Sequence, residues 1–221
     1  MREEIQFKTS KKSSKLPKDS KLAFIQNLID HSERYQLAIE NAKPHDSHIQ
    51  KITLNRKDSD NGKKTLLIDL DDTLIFTSNP MDPSEFNSND LKITQNDSKV
   101  RKLFIRPHAH EFLARMSRHY EIIIFTAATK CYAEQIRKYL DPTDSIISHL
   151  LDRQFCFNPN KGASIENKLP FIKDLRKLNR DLSQTVLLDN SIYCFWYQIN
   201  NGIPIVSYNK EKRDDTELLK V

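Results

Sequence analysis

The stretch from Thr65 to Ile75 constrains this chain more than any other. Thr65-Leu66-Leu67-Ile68 is an apolar run of strand formers. Asp69, Asp71 and Asp72 then place three carboxylates within four positions, and Leu74 and Ile75 are apolar again. An apolar run without polar alternation reads as a strand buried on both faces, which belongs in the middle of a parallel sheet. The acids mark its carboxyl end. Residues two apart on a strand share a face, so Asp69 and Asp71 point to one side and Leu70 to the other. Two carboxylates forced together repel, and a cation or a shared proton relieves the repulsion. The pattern suggests a hydrolase in which one acid attacks, the other moves a proton, and a Mg²⁺ is bound. Asp72 faces away from that pair if the strand continues and reads as structural.

The rest of the chain repeats the theme. Glu121 to Thr126 and Thr185 to Asn190 are two more apolar runs that end in polar residues, and Ile203 to Val206 reads as a further strand. Ile146 to Phe157 holds a short strand of its own. Between the strands, Phe112, Leu113 and Met116 follow helical spacing, with Pro107 near the first turn. Tyr132, Ala133, Ile136, Tyr139 and Leu140 mark a second helix, which stops at Asp141-Pro142. Leu169 to Leu182 carries a third helical pattern around Lys173 and Asp174. Alternation of strands and helices predicts an α/β fold, a parallel sheet flanked by helices through right-handed crossovers. Ligands of such sheets sit outside the carboxyl ends of the strands. That rule gathers Asp69, Asp71, Thr126, Asp189 and Asn190 at one rim.

One excursion interrupts the alternation. Thr77 to Lys102 is rich in Ser, Asn, Asp and Pro, and Leu91 to Ile93 with Val100 to Ile105 predicts a small hairpin around Asn96-Asp97. An insertion at the mouth of a site reads as a flap. Ahead of the sheet, residues 1–60 form a basic, polar extension, and the domain proper is placed at 61–221. Within the extension, residues 1–20 read as a lysine-rich tail and residues 20–43 as an amphipathic helix capped by Ser20 and closed by Pro44. Ile52 and Leu54 suit a short strand.

Composition excludes several classes. With 221 residues there is room for one domain plus a tail. No apolar run reaches the ~18–20 residues of a membrane span, and Met1-Arg2-Glu3-Glu4 starts no secretory signal. The three cysteines, Cys131, Cys156 and Cys194, are odd in number and widely spaced, which suits reduced thiols in the cytosol or nucleus. No close Cys/His set suggests structural zinc. The net charge of +5 permits an acidic or phosphorylated partner without requiring one, and no direct nucleic-acid contact is expected. Cys131 and Arg137 fit C-x-x-x-x-x-R, the spacing of cysteine-dependent phosphatases. That chemistry needs a glycine-rich phosphate loop, whereas the residues between are helical in pattern, lack glycine and include Glu134.

The D-x-D-x-T of Asp69, Asp71 and Thr73 resembles the first motif of the haloacid dehalogenase (HAD) superfamily of aspartate-nucleophile phosphatases. Within it, the chain resembles the RNA polymerase II C-terminal-domain phosphatase family, also called NLI-interacting-factor-like, over roughly residues 63–219. The matching motifs are Leu70-Asp71-Asp72-Thr73-Leu74, Arg106-Pro107 with Glu111-Phe112-Leu113, and Tyr120-Glu121 through Phe125-Thr126-Ala127. Lys173-Asp174-Leu175, Leu188-Asp189-Asn190-Ser191, Asn201 to Ile205 and Asp215-Thr216-Glu217-Leu218 continue them in order.

The resemblance implies a division of labour. Asp69 is the nucleophile that takes up the phosphoryl group, and Asp71 protonates the leaving serine or threonine oxygen, then activates water. Mg²⁺ is held by the Asp69 carboxylate, the Asp71 backbone carbonyl and the Asn190 side chain, with Asp189 and Thr73 behind them. Thr126 and Lys173 bind the phosphoryl oxygens. The implied protein is a monomeric, nuclear or cytoplasmic phosphoprotein phosphatase. Alternatives are a catalytically weak phosphoprotein-binding scaffold and a small-molecule HAD phosphatase. The sequence departs from the family pattern at Ala128 and Ile192, where serine and proline are usual, and in a longer stretch between Cys156 and Lys173. The family adds a helix beyond the point reached by Val221, so the domain reads as truncated at its C-terminus.

Overall fold

The computed structural model describes residues 39–94, 99–159, 170–212 and 214–221. The lysine-rich tail, most of the 20–43 helix and the 160–169 loop lie outside these residues; of the helix, residues 39–42 are described and helical.

The body is a five-stranded parallel sheet. Its strands are β1 (Lys64–Ile68), β5 (Tyr120–Phe125), β6 (Ile147–Leu151), β7 (Thr185–Asp189) and β8 (Gly202–Pro204), in the spatial order β6-β5-β1-β7-β8. β1 is central, with Leu67 in register with Ile123 on one side and Leu187 on the other. Its side chains are divided between two cores. Leu66 and Ile68 face the first, with Ile122, Ile124 and residues of α1 (Ala109–Met116) and α2 (Lys130–Leu140). Leu67 faces the second, with Ile123, Phe125, Leu175, Leu178 and Phe195. Burial on both faces is why β1, β5 and β7 read as unbroken apolar runs.

The flap is larger than a hairpin. β3 (Leu91–Thr94) and β4 (Val100–Ile105) pair as expected, and β2 (Ile75–Thr77) joins the other edge of β4 to make an antiparallel sheet. Ile75, Ile93 and Leu103 turn one face of it into the first core.

Several readings are corrected. Asp69 and Asp71 do not lie on one continuous strand. β1 ends at Ile68, and the Asp69 amide still donates to the Leu188 carbonyl at 3.0 Å. The chain then turns, with the Leu70 carbonyl accepting from the amides of Thr73, Leu74 and Ile75 and with Asp72 in the left-handed region (φ 59°). Over 170–182 there is no α-helix. The Ile172 amide donates to the Phe157 carbonyl at 2.9 Å, Lys173 to the Cys194 carbonyl at 2.6 Å, and Leu175 to Gln198 Oε1 at 2.9 Å. With the amides satisfied by distant partners, the segment runs extended into a 3₁₀ turn at Leu175–Lys177, and its apolar residues still reach the second core. The last strand is Gly202–Pro204, ahead of Ile205 and Val206. α1 starts at Ala109, leaving Pro107 outside it.

Ahead of β1, the described part of the extension lies against the body. Ile39 is buried beside Ile172 and Tyr197, and its carbonyl accepts from the Tyr197 hydroxyl at 3.2 Å. Arg176 bonds Asp46 and the Pro44 carbonyl, and Ile52 bridges to Leu178.

Candidate active site

Three parallel strands deliver polar residues to one rim. β1 leads to Asp69, β5 to Thr126, and β7 ends in Asp189 followed by Asn190. Together with Asp71 and Lys173 they line a cleft of about 570 Å³. Every residue expected at the site except Thr73 lines that cleft, and Thr73 lies behind it.

Lys173 is the hub. It is 1% exposed, and its Nζ donates to Asp69 Oδ1 at 2.6 Å and to Asp189 Oδ2 at 2.5 Å. Burial alone would neutralise the ammonium, yet Asp189 and Asp69 outweigh it and hold the lysine well above its ordinary pKa. This is more than the phosphate-binding part expected of it, since it also fixes the Asp69 carboxylate. Asp71 stands in the same cleft without a bond from Lys173. Burial, reinforced by the charges of Asp69 and Asp72, pushes the Asp71 carboxyl up to about 6, against a hydrogen bond from the Tyr132 hydroxyl. Burial also raises Asp189, against the opposing pull of Lys173.

Thr73 and Asn190 hold one another. The Asn190 amide donates to Thr73 Oγ1 at 3.2 Å, and that hydroxyl lies 3.4 Å from Asn190 Oδ1. Asn190 Nδ2 donates to Ser207 Oγ at 3.0 Å, and Asn190 lines the cleft. Thr126 is buried, and its Oγ1 accepts from the Ala128 amide at 3.0 Å while keeping its own proton. It is not the helix cap, a position taken by Thr129.

The donor set suits a hard cation. Among the described residues no cluster of three or more His, Cys, Asp and Glu side chains is arranged for a metal, and the expected set needs none. It consists of one carboxylate, one backbone carbonyl and one amide oxygen, all of which suit Mg²⁺. Burial is the main reason Asp71 is raised, and the charge of Asp69 and Asp72 that adds to it is what a divalent ion would offset. Cys194 also lines the cleft, but burial pushes its thiol well above the ordinary value, so no soft thiolate competes.

Two cleft residues were not singled out from the sequence as site residues. Tyr132 reads as an apolar-face residue of α2, yet its hydroxyl donates to Asp71 Oδ1. Arg153 follows β6 by two residues, and its Nε donates to the Ala127 carbonyl at 2.5 Å while its guanidinium lies over the Phe171 ring. The available signal was positional: Arg153 lies two residues past β6, and Tyr132 lies on the first turn of the helix that follows β5. The Cys131–Arg137 pair plays no such part: Cys131 is exposed on α2 and Arg137 pairs with Asp144 and Glu134.

A family model described as NLI interacting factor-like phosphatase matches residues 64–221. The chain is 41% identical over 158 residues to CTD small phosphatase-like protein 3 of Caenorhabditis elegans, covering 71% of this chain and 51% of the relative. It is 32% identical over 165 residues to the CTD small phosphatase-like protein of Homo sapiens, covering 72% and 54%. The chain thus spans about half the length of these curated relatives. Among solved structures, fission yeast RNA polymerase II CTD phosphatase Fcp1 bound to beryllium fluoride aligns with a TM-score of 0.49 at 23% identity, over 66% of this chain and 42% of that one. The chain belongs to the NLI interacting factor-like phosphatase family.

Proposed function

We propose that this chain is a Mg²⁺-dependent phosphoprotein phosphatase acting through an aspartyl-phosphate. The observation that carries the reading is the Asp69 carboxylate held by a fully buried lysine beside Asp71, a second acid whose pKa lies near 6. Lys173 grips Asp69 by Oδ1, which leaves Oδ2 to attack phosphorus. An attacking carboxylate divides hydrolysis into two displacements. In the first, Asp71 gives its proton to the departing serine or threonine oxygen; in the second, it takes one from the water that cleaves the aspartyl-phosphate. A carboxyl raised to about 6 can serve in both directions near neutral pH.

An ammonium has three N–H donors, and Lys173 uses two on Asp69 and Asp189. The third, with the Thr126 hydroxyl, is available to the phosphoryl oxygens. The Asp69 carboxylate, the Asp71 carbonyl and Asn190 Oδ1 would hold Mg²⁺, oriented from behind by Asp189 and Thr73. When bound, the ion supplies positive charge against the phosphoryl oxygens.

Among the described residues no large cap covers the cleft, which suits a phosphoserine or phosphothreonine displayed on a protein chain. The relatives' names speak of a CTD, and we take the RNA polymerase II C-terminal domain or a similar phosphoprotein as the substrate. The reading further takes the chain as a monomer of the nucleus or cytoplasm. Among the described residues no helix is long and apolar enough to cross a membrane.

The test is release of phosphate from a phosphoserine peptide by the full chain with Mg²⁺. Asp69→Asn and chelation by EDTA should each abolish turnover, and added Mg²⁺ should restore it after EDTA. Undiminished activity of Asp69→Asn, or turnover indifferent to chelation, would refute the mechanism.

A further inference from the structure

Asp71 lies beyond the end of β1, on a turn with the left-handed Asp72 as its next residue. The ladder that fixes Asp69 does not extend to its side chain. Lys173, which grips Asp69 and Asp189, does not bond Asp71 either. The side chain that does is Tyr132, whose hydroxyl donates to Asp71 Oδ1. Tyr132 stands on the first turn of α2, and its ring is 3% exposed in the first core with Ala133 and Ile136. A buried ring on a regular helix is a rigid mount. The same hydroxyl lies 3.3 Å from Thr77 Oγ1, on the flap strand β2.

We propose that Tyr132 is the positioning residue for the proton-transferring Asp71, fixing the carboxyl from the side of α2 and linking it to the flap through Thr77. This inference rests on the phosphatase reading. With Oδ1 engaged by the tyrosine, Oδ2 carries the mobile proton. As the phosphorus–oxygen bond to the leaving serine breaks, the Oδ2–H bond breaks and a serine O–H bond forms. The electron pair left on the carboxylate is then stabilised by the Tyr132 hydroxyl. Return of the proton from water reverses the exchange. Without the hydroxyl, Asp71 is free to leave the line of proton transfer, a displacement to which a poor leaving group is far more sensitive than a good one.

The full chain and Tyr132→Phe are compared, with Mg²⁺, on a phosphoserine peptide and on dinitrophenyl phosphate, whose leaving group departs as a stable anion without a proton. kcat/KM is the readout because it ends at the first phosphoryl transfer. Tyr132→Phe should lose about 10- to 100-fold on the peptide, the worth of one hydrogen bond to a charged group. The loss on the activated ester should be at least about tenfold smaller. Equal losses on both substrates, the signature of a merely structural role, overturn the proposal, as does no loss on the peptide. Site-specific fluorotyrosine at position 132, which keeps both ring and hydroxyl, should retain the wild-type ratio between the substrates; a fall in that ratio matching phenylalanine's overturns the proposal without depending on how well Tyr132→Phe folds. A wild-type chain inactive on both substrates overturns the phosphatase reading and this inference with it, an outcome distinct from any change in ratio.

Discussion

Replacing Arg106 by methionine removes a buried cation whose partners come from three separate segments. The side chain is 1% exposed. Its Nε and Nη2 grip Asp215 bidentately at 2.7 and 2.9 Å, Nη1 donates to the Thr73 carbonyl at 3.0 Å, and Nη2 also donates to the Val206 carbonyl at 2.8 Å. Removing one partner of a buried pair costs about 3–5 kcal/mol, because the other charge is left uncompensated. Two stranded carbonyls would add about 1–3 kcal/mol each if they stayed dry. Asp215 and Val206 border an open surface cleft that water can enter, so relaxation offsets much of that addition. We expect a loss of about 4 kcal/mol. For a domain of this size that lowers Tm by about 8–16 °C. Calorimetry and urea unfolding measure the loss. The double variant Arg106→Met/Asp215→Leu should recover about 2 kcal/mol by removing the stranded carboxylate. A single-variant cost below about 1 kcal/mol, or no coupling in the double-mutant cycle, would refute the argument.

Two further stability predictions come from the lower part of the sheet and from its edge. Burial acts to raise the Glu121 pKa, but hydrogen bonds and charge from Arg180, Thr65 and Arg56 together hold it below its ordinary value. A depressed folded-state pKa gives stability that is present above the unfolded value of about 4.3 and is lost as pH falls through the folded value. Tm should therefore fall more steeply below about pH 4 for the wild type than for Glu121→Gln; parallel slopes would contradict it. Gly202→Ala would put its Cβ 2.0 Å from Phe195 Cδ2, in a ring that is 1% exposed. The urea midpoint should drop by the equivalent of about 1–3 kcal/mol, and adding Phe195→Leu should recover part of it; an unchanged midpoint for Gly202→Ala would show that the backbone there can move away.

The centre of the sheet and its rim were legible because two independent signals coincide in β1, β5 and β7. Burial on both faces makes Leu66 to Ile68 and Ile122 to Phe125 unbroken apolar runs, and the polar residue after each run marks the rim. The turn at Asp72 was less legible. It depends on the Leu70 carbonyl gathering three amides and on a left-handed residue other than glycine, and no periodicity reports either. β2 was hidden because Ile75 to Thr77 continues directly from the acids and reads as the end of the first strand. In 170–182 the spacing of Ile172, Leu175, Leu178 and Leu182 imitates a helix. What decides the structure there is where the amides of Ile172, Lys173 and Leu175 find acceptors, and those lie at Phe157, Cys194 and Gln198. Tyr132 and Arg153 look ordinary in sequence because their place in the cleft depends on how a helix and a turn begin after their strands.

Ile75 is paired with Ile105, so the chain enters and leaves the flap on the same rung of one ladder. The next residue, Arg106, is the one that grips the Thr73 carbonyl. Between Ile75 and Ile105, β3 also seats on α2: Ile93 is buried in the first core and the Thr94 amide donates to Gln135 Oε1 at 3.0 Å. Residues 79–89, outside the three flap strands, can lengthen, shorten or change character while the two ends of the flap stay where they are. On the phosphatase reading, the fold therefore separates the groups that would act on a bound phosphate from those that would select its carrier. Grafting that segment between relatives should transplant selectivity while leaving the acids at the end of β1 undisturbed.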